Sequence, residues 1–225
     1  MSRKLVSVIT GTYNRHDLLL EAIENVREQT YRPLEHCIVS DGPDLALRQM
    51  LGAHRGSDVP TRFVETGRQW SQFLAASISA VPFQVAQWLA SGDYLMWLSD
   101  DERLTPDHVE SLVNLLEETD SDFVYPRVEV WNPAGYQSVI GTDPPQLGGI
   151  THALFRAELL DYRGFTTHIG SGTDWDQIRH WMEAGARWAM LDRITLRHRI
   201  DKMGEGPDYR EMRQPLRGHR ERVSA

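Results

Sequence analysis

LMWLSDDERLTPDH, residues 95–108, is the stretch on which the reading of this chain turns. Leu95-Met96-Trp97-Leu98 is a short apolar run that reads as a buried strand. It stops at Ser99-Asp100-Asp101-Glu102. Thr105-Pro106 then reads as a helix start, with Thr105 as N-cap and Pro106 as the first helical residue. The acids therefore fall at the carboxyl end of a strand, on the rim of a sheet, where open α/β folds take their ligands. Adjacent carboxylates repel one another. On a loop they are tolerated when solvated, and they become favourable around a hard cation held through oxygen. A solvated acidic turn ahead of a helix accounts for the same residues, because acids also suit a helix N-terminus. This stretch alone leaves both readings open.

Upstream, strand and helix signals alternate. LVSVIT (5–10) is apolar and β-branched and reads as a central parallel strand, followed by the polar loop GTYNR. Over 16–29, Leu19, Leu20, Ile23 and Val26 recur at helical spacing. HCIVS (36–40) reads as a second strand, ended by the turn signal Asp41-Gly42-Pro43-Asp44. A helix at 45–54 and a strand at 61–65 follow. Residues 71–89 are helical in pattern, with Pro82 expected to break or kink the helix. With the helix at 106–118 the order is βαβαβαβα, which predicts a mostly parallel sheet carrying helices on both faces.

The second half is less regular. Residues 122–130 alternate and read as a strand, and the Gly- and Pro-rich 131–149 reads as a loop or hairpin excursion. A strand at 151–155, a short helix at 156–160 and a helix at 174–184 ended by Gly185 come next. Residues 187–192 read as a late strand and 193–199 as a connection. Beyond 201, Arg210, Arg213, Arg217, Arg220 and Arg222 outnumber Glu211 and Glu221, so a mobile basic tail is expected over 201–225.

A chain of 225 residues is long enough to bury a sizeable core, and 40% hydrophobic with 25% charged residues marks it as globular. A net charge of −8 argues against nucleic acid as the partner. The single cysteine, Cys37, lies in an apolar run and reads as a small core residue. The chain cannot form an internal disulfide, which suits a reducing, cytoplasmic location. The apolar part of MSRKLVSVITGT is too short for a signal peptide, and no transmembrane span is expected.

Several of these segments, taken in order, resemble one family. VSVITGTYNR resembles the opening strand and loop of family 2 glycosyltransferases with the GT-A fold. CIVSDG resembles that family's second strand and its nucleotide-contacting acid. GDYLMWLSDDERLTPD resembles its DxD-type metal segment, GTDWDQIRHWMEAG the segment that presents its catalytic base, and LRHR a terminal segment in which a His often reaches the metal or the diphosphate. The resemblance covers roughly residues 4–200. It implies a GT-A (Rossmann-like) domain over 1–200, with a nucleotide-sugar half at about 1–104 and a smaller acceptor-side half at about 105–200. It also implies transfer of a sugar from a nucleotide diphosphate donor with inversion, and a divalent cation, Mn or Mg.

Carried over residue by residue, the resemblance implies the following roles. The family pattern puts carboxylates at Ser99 and Asp101, and Ser99 replaces the first. Asp101 is then the direct cation ligand, Asp100 contacts the donor ribose or a metal-bound water, and Glu102 either backs the ligands or is a helix-end charge. Thr10, Thr12 and Tyr13 line the nucleoside pocket, and Asp41 bonds the base or ribose. As a turn former, Asp41 equally caps its own backbone. Asp174 is the candidate general base, taking a proton from the acceptor hydroxyl opposite the leaving group; an Asp at a helix start is also a routine cap. Asp176 is the fallback base. His198 ligates the cation or donates to the diphosphate, and Arg68 and Arg197 are diphosphate partners. Many family members carry an Arg in the helix before the metal strand, where this chain has VPFQVAQ (81–87). Trp131 and Trp175 stack on a sugar or pack in the core.

The acceptor is expected to be a glycan, a lipid-linked species or a small molecule, the tail to touch a membrane surface weakly at most, and a homodimer is compatible with the sequence. A sugar nucleotidyltransferase would need a glycine-rich, Lys- or Arg-bearing loop after the first strand, which GTYNRHD does not resemble closely. A degenerate nucleotide- or glycan-binding copy would explain Ser99 and the missing Arg, and the retained Asp174 weighs against it.

Overall fold

The computed structural model describes residues 2–53, 58–70, 80–146, 152–161 and 173–200. The first half follows the predicted alternation. Strand β1 (Val6–Thr12) pairs in parallel with β2 (Leu34–Ser40), which pairs in parallel with β3 (Thr61–Glu65). On its other side β1 pairs in parallel with β4 (Tyr94–Trp97). Helix α1 (His16–Arg27) buries Leu19, Ala22, Ile23 and Val26, a three- and four-residue spacing that turns one stripe to the sheet. Helix α2 (Leu45–Ala53) connects β2 to β3. Helix α3 (Ala80–Leu89) carries Pro82 in its first turn, where a missing N–H costs no helical hydrogen bond. The expected helix at 71–79 lies outside the described residues.

The acidic stretch differs from the reading at one point. Residues Glu102–Leu104 form a short strand, β5, so the following helix α4 starts at His108 and runs to Glu118. Thr105 is therefore not the N-cap. Asp107 precedes the helix, and the Thr105 hydroxyl donates to its carboxylate (2.7 Å).

In the second half β6 (Phe123–Trp131) and β7 (Gln137–Ile140) form the hairpin, antiparallel, across a turn that needs Gly135 at φ +93. Strand β8 (Leu154–Arg156) inserts antiparallel between β4 and β6, and a 3₁₀ turn over Ala157–Asp161 follows it. Helix α5 (Thr173–Glu183) is followed by Gly185 at φ +88. Strand β9 then runs unbroken from Trp188 to Arg199, parallel to β6, across a register shift near Arg127. The expected connection at 193–199 is thus strand. The inward Leu196 and His198 alternate there with outward Arg197 and Arg199, and the charges hide the two-residue period. The sheet order is β3-β2-β1-β4-β8-β6-β9-β5, with β7 on β6.

The sheet carries core on both faces, with Cys37 wholly buried in it. On one face Trp97 of β4 stacks on Trp181 of α5 at 5.6 Å, and Phe155 of β8 meets the same ring at 4.7 Å. Ring pairs of this kind add about 0.5–1.5 kcal/mol each beyond area burial. They pin the C-terminal half of α5 against β4 and β8. No helix among the described residues is long and apolar enough to cross a membrane. The 201–225 tail lies outside the described residues.

Candidate active site

Strands β1 and β4 lie in register, Ile9 opposite Trp97, and the Leu98 N–H donates to the Ile9 carbonyl (3.0 Å). Their carboxyl ends therefore finish side by side, and the loop at Tyr13 meets the turn at Ser99. A cavity of about 400 Å³ opens there, with Thr12, Tyr13, Asp100, Asp101 and His198 in its wall. Pro82 and Phe83 of α3 close one side, which is why residue 11 is glycine: a Cβ there would meet Pro82 Cβ at 2.9 Å and Phe83 Cδ2 at 3.0 Å.

The acids at the rim are not equivalent. Asp100 is buried, its Oδ2 accepting from the Thr12 hydroxyl (2.8 Å) and its Oδ1 from Arg15 (3.0 Å). Burial holds its pKa above the ordinary carboxylate value. The same Arg15 nitrogen donates to Asp101 Oδ2 (2.9 Å), so one guanidinium offsets two adjacent charges. Asn14 at φ +52 turns the chain just before Arg15, a backbone region that Asn tolerates. Glu102 is fully buried and bonds a different set of groups. Its Oε2 accepts the Ser99 N–H (2.8 Å), and its Oε1 meets His198 Nδ1 (3.0 Å) and His152 Nε2. Burial pushes the Glu102 pKa up to about 7.

His198 ties the two halves of the rim together. Burial lowers its pKa, but the bond to Glu102 and the charges of Glu102, Asp101 and Asp174 outweigh it, and the net shift is upward. Asp174, in the first turn of α5, is partly buried, and burial raises its pKa. The field of Asp101 and that of Asp174 thus meet at one imidazole on the cavity wall. The acid oxygen on this wall suits Mg or Mn, and the imidazole nitrogen beside it tilts the donor set from Mg toward a transition metal such as Mn.

Other predicted residues sit elsewhere. Thr10 is wholly buried, and its hydroxyl bonds His36 Nε2 (2.9 Å), so it lies below the cavity rather than in its wall. Asp41 follows β2, beside Thr12, whose carbonyl accepts the Asp41 N–H (2.9 Å); Asp41 Oδ1 accepts the Trp70 N–H (2.8 Å). Arg68 stacks over Trp70 at 5.5 Å on that same side of the rim. Arg197 alternates with His198 along β9 and points to the opposite face, ion-paired to Glu129 and stacked over Trp131 at 5.1 Å. That removes Arg197 as a diphosphate partner. Trp175 is buried in the core, and Asp176 is bonded to Arg179 (2.7 Å) one turn along.

Arg15 and His152 have no role in the sequence reading, and Glu102 appears there with two open roles, backing the ligands or serving as a helix-end charge. Arg15 stood within the quoted loop motif, but the two acids it bridges lie 85 and 86 residues further on, so nothing local marked it. His152 gave none, being a lone His beside an apolar run.

With this geometry in view, the profile of the family described as Glycosyl transferase family 2 matches residues 7–176. The uncharacterized glycosyltransferase YwdF of Bacillus subtilis is 29% identical over 178 residues, 78% of this chain and 59% of that protein. Among solved structures, S. aureus TarS 1-349 in complex with UDP-GlcNAc superposes with a TM-score of 0.70 at 15% identity, over 88% of this chain and 59% of that one. The mannosyltransferase PcManGT from Pyrobaculum calidifontis, in complex with GDP-Man and Mn2+, gives a TM-score of 0.69 at 20% identity, over 90% of this chain and 59% of that one. The chain spans about 59% of the length of each of these three.

Proposed function

This chain belongs to glycosyl transferase family 2, and on that premise we propose that it moves a sugar from a nucleoside diphosphate donor to an acceptor hydroxyl with inversion at the anomeric carbon. The observation that carries the reading is the meeting of Asp101 and His198 in the wall of one cavity at the ends of β1 and β4, with Asp174 near enough for its charge to act on the His198 imidazole. The UDP-GlcNAc of the TarS complex and the GDP-Man and Mn2+ of the PcManGT complex support a nucleotide-sugar donor and a divalent cation here.

Thr12, Tyr13 and Asp41 bind the nucleoside, with Asp100 held by Thr12 and Arg15 to accept from the ribose. Arg68 reaches the donor from the β3 side. Asp101 and His198 hold the cation, which when bound supplies counter-charge for the departing diphosphate. Asp174 takes the proton from the acceptor oxygen as that oxygen attacks the face opposite the leaving group. Burial raises the Asp174 pKa, which makes its carboxylate a stronger base than that of an exposed aspartate.

The test is calorimetric titration of UDP and GDP with and without Mn2+, followed by NMR assignment of the product anomer with the nucleotide sugar that binds. Binding strengthened by Mn2+ and an inverted product are expected. No binding of either nucleotide under both conditions refutes the proposal.

A further inference from the structure

A carboxylate fully shut off from water at a sheet rim is costly unless its oxygens are used. Those of Glu102 are: Oε2 takes the Ser99 N–H, and Oε1 takes His198 Nδ1 at 3.0 Å together with His152 Nε2. Glu102 and His198 are direct register partners in the β5–β9 pairing, so the sheet itself sets their approach. In its ionised form, the one present at the alkaline pH of the test below, the carboxylate only accepts, so the ring nitrogens that face it are then the donors. A neutral imidazole carries one N–H. With that hydrogen on Nδ1, the Nε2 of His198 keeps its lone pair, and His198 is in the wall of the cavity that Asp101 also lines.

We propose that Glu102 and His152 are positioning residues: Glu102 accepts the Nδ1–H of His198 and thereby presents the Nε2 lone pair beside Asp101, so that His198 is a cation ligand and not a hydrogen-bond donor to the diphosphate, while His152 holds the Glu102 oxygen from behind. Hydrogen bonds of this kind to the far nitrogen of a ligating His set its tautomer and ring orientation. This rests on the cation site proposed above. Glu102, His152 and His198 also bring three donor atoms within 4.8 Å of one another. A cation among them would have to displace both bonds at Oε1, so positioning is the reading we keep.

The experiment compares Mn2+ affinity, by electron paramagnetic resonance titration, for unaltered protein, Glu102→Gln, His198→Ala and the double variant. Glu102→Gln is expected to lose about 10–100-fold in affinity, to bind UDP or GDP without cation as before, and to add nothing in the His198→Ala background. A Glu102→Gln loss that adds to that of His198→Ala, or a lowered melting temperature with unchanged Mn2+ affinity, overturns the inference. His198→Ala with full Mn2+ affinity instead overturns the cation site itself, and the inference falls with it. Cation binding that survives Asp101→Ala but not His152→Gln moves the cation into the cluster and also overturns positioning. A long-range ¹H–¹⁵N spectrum of the imidazoles in unaltered, cation-free protein at alkaline pH needs no variant. It should show His198 protonated at Nδ1, and protonation at Nε2 refutes the inference.

Discussion

Gly11→Ala tests how the cavity is built. The added methyl would stand 2.9 Å from Pro82 Cβ and 3.0 Å from Phe83 Cδ2. Carbon atoms rest at about 3.5–4.0 Å, so the first turn of α3 has to retreat by roughly 0.5–1 Å from β1 or the backbone of β1 has to bend. The Pro82 ring has no rotamer with which to yield. Overpacking of this kind costs about 1–3 kcal/mol, and at this chain length each kcal/mol lowers the melting temperature by about 2–4 °C. The expected fall is therefore about 2–12 °C. Because Pro82 and Phe83 wall the cavity, UDP or GDP binding should weaken in the same variant. Gly52→Ala is the control: it sits in α2 with nothing within 4 Å of an added Cβ. There alanine should stabilise the helix by about 0.5–1 kcal/mol. Both variants are read by thermal melting and nucleotide titration. A Gly11→Ala protein that melts and binds as the unaltered one refutes the argument that the β1–α3 contact shapes the site.

Asp174→Asn should keep donor binding and lower transfer by about 10²–10⁴-fold, whereas Asp101→Ala should weaken Mn2+-dependent donor binding; binding and turnover measurements that show the reverse pattern overturn the assignment. Arg15→Ala removes the guanidinium that bridges Asp100 and Asp101, so Mn2+ alone should bind more tightly in calorimetry, and weaker binding would contradict a competition between guanidinium and metal. Burial pushes the pKa of both His36 and His108 down to about 3. Between about 6.5 and 3 the unfolded chain therefore binds protons that the folded one refuses, and stability falls as pH falls, by up to about 1.4 kcal/mol per pH unit for each. His108→Gln should melt with a shallower loss from pH 6.5 to 4.5, and an unchanged slope would show that His108 does not titrate this way.

Signals carried by neighbouring residues were legible in the chain itself. The apolar runs of β1, β2 and β4, the helical spacing in α1 and α4 and the acids stranded at a strand end sufficed for the α/β order and the rim position of Asp101. The ordered motifs sufficed for the family. Boundaries failed where pairing with a distant strand overrode a local cue. Leu104 entered β5 because β9 was there to pair with it, and Thr105 lost the cap; 193–199 joined β9 because β6 lay beside it. Direction along a strand decided His198 against Arg197, and only the register shows which of two adjacent residues faces the cavity. Thr10 was misplaced for a related reason: it shares a face of β1 with Thr12 but sits two residues deeper, against His36.

The cluster behind the cavity wall belongs wholly to tertiary structure. His198 and His152 meet Glu102 across separations of 96 and 50 residues. No period, cap or turn couples positions so far apart, because each obeys its own local preferences until the sheet closes. Residue types and their order fixed which chemistry the chain carries. The pairing of β5 with β9, and of β8 between β4 and β6, decided which of those groups touch.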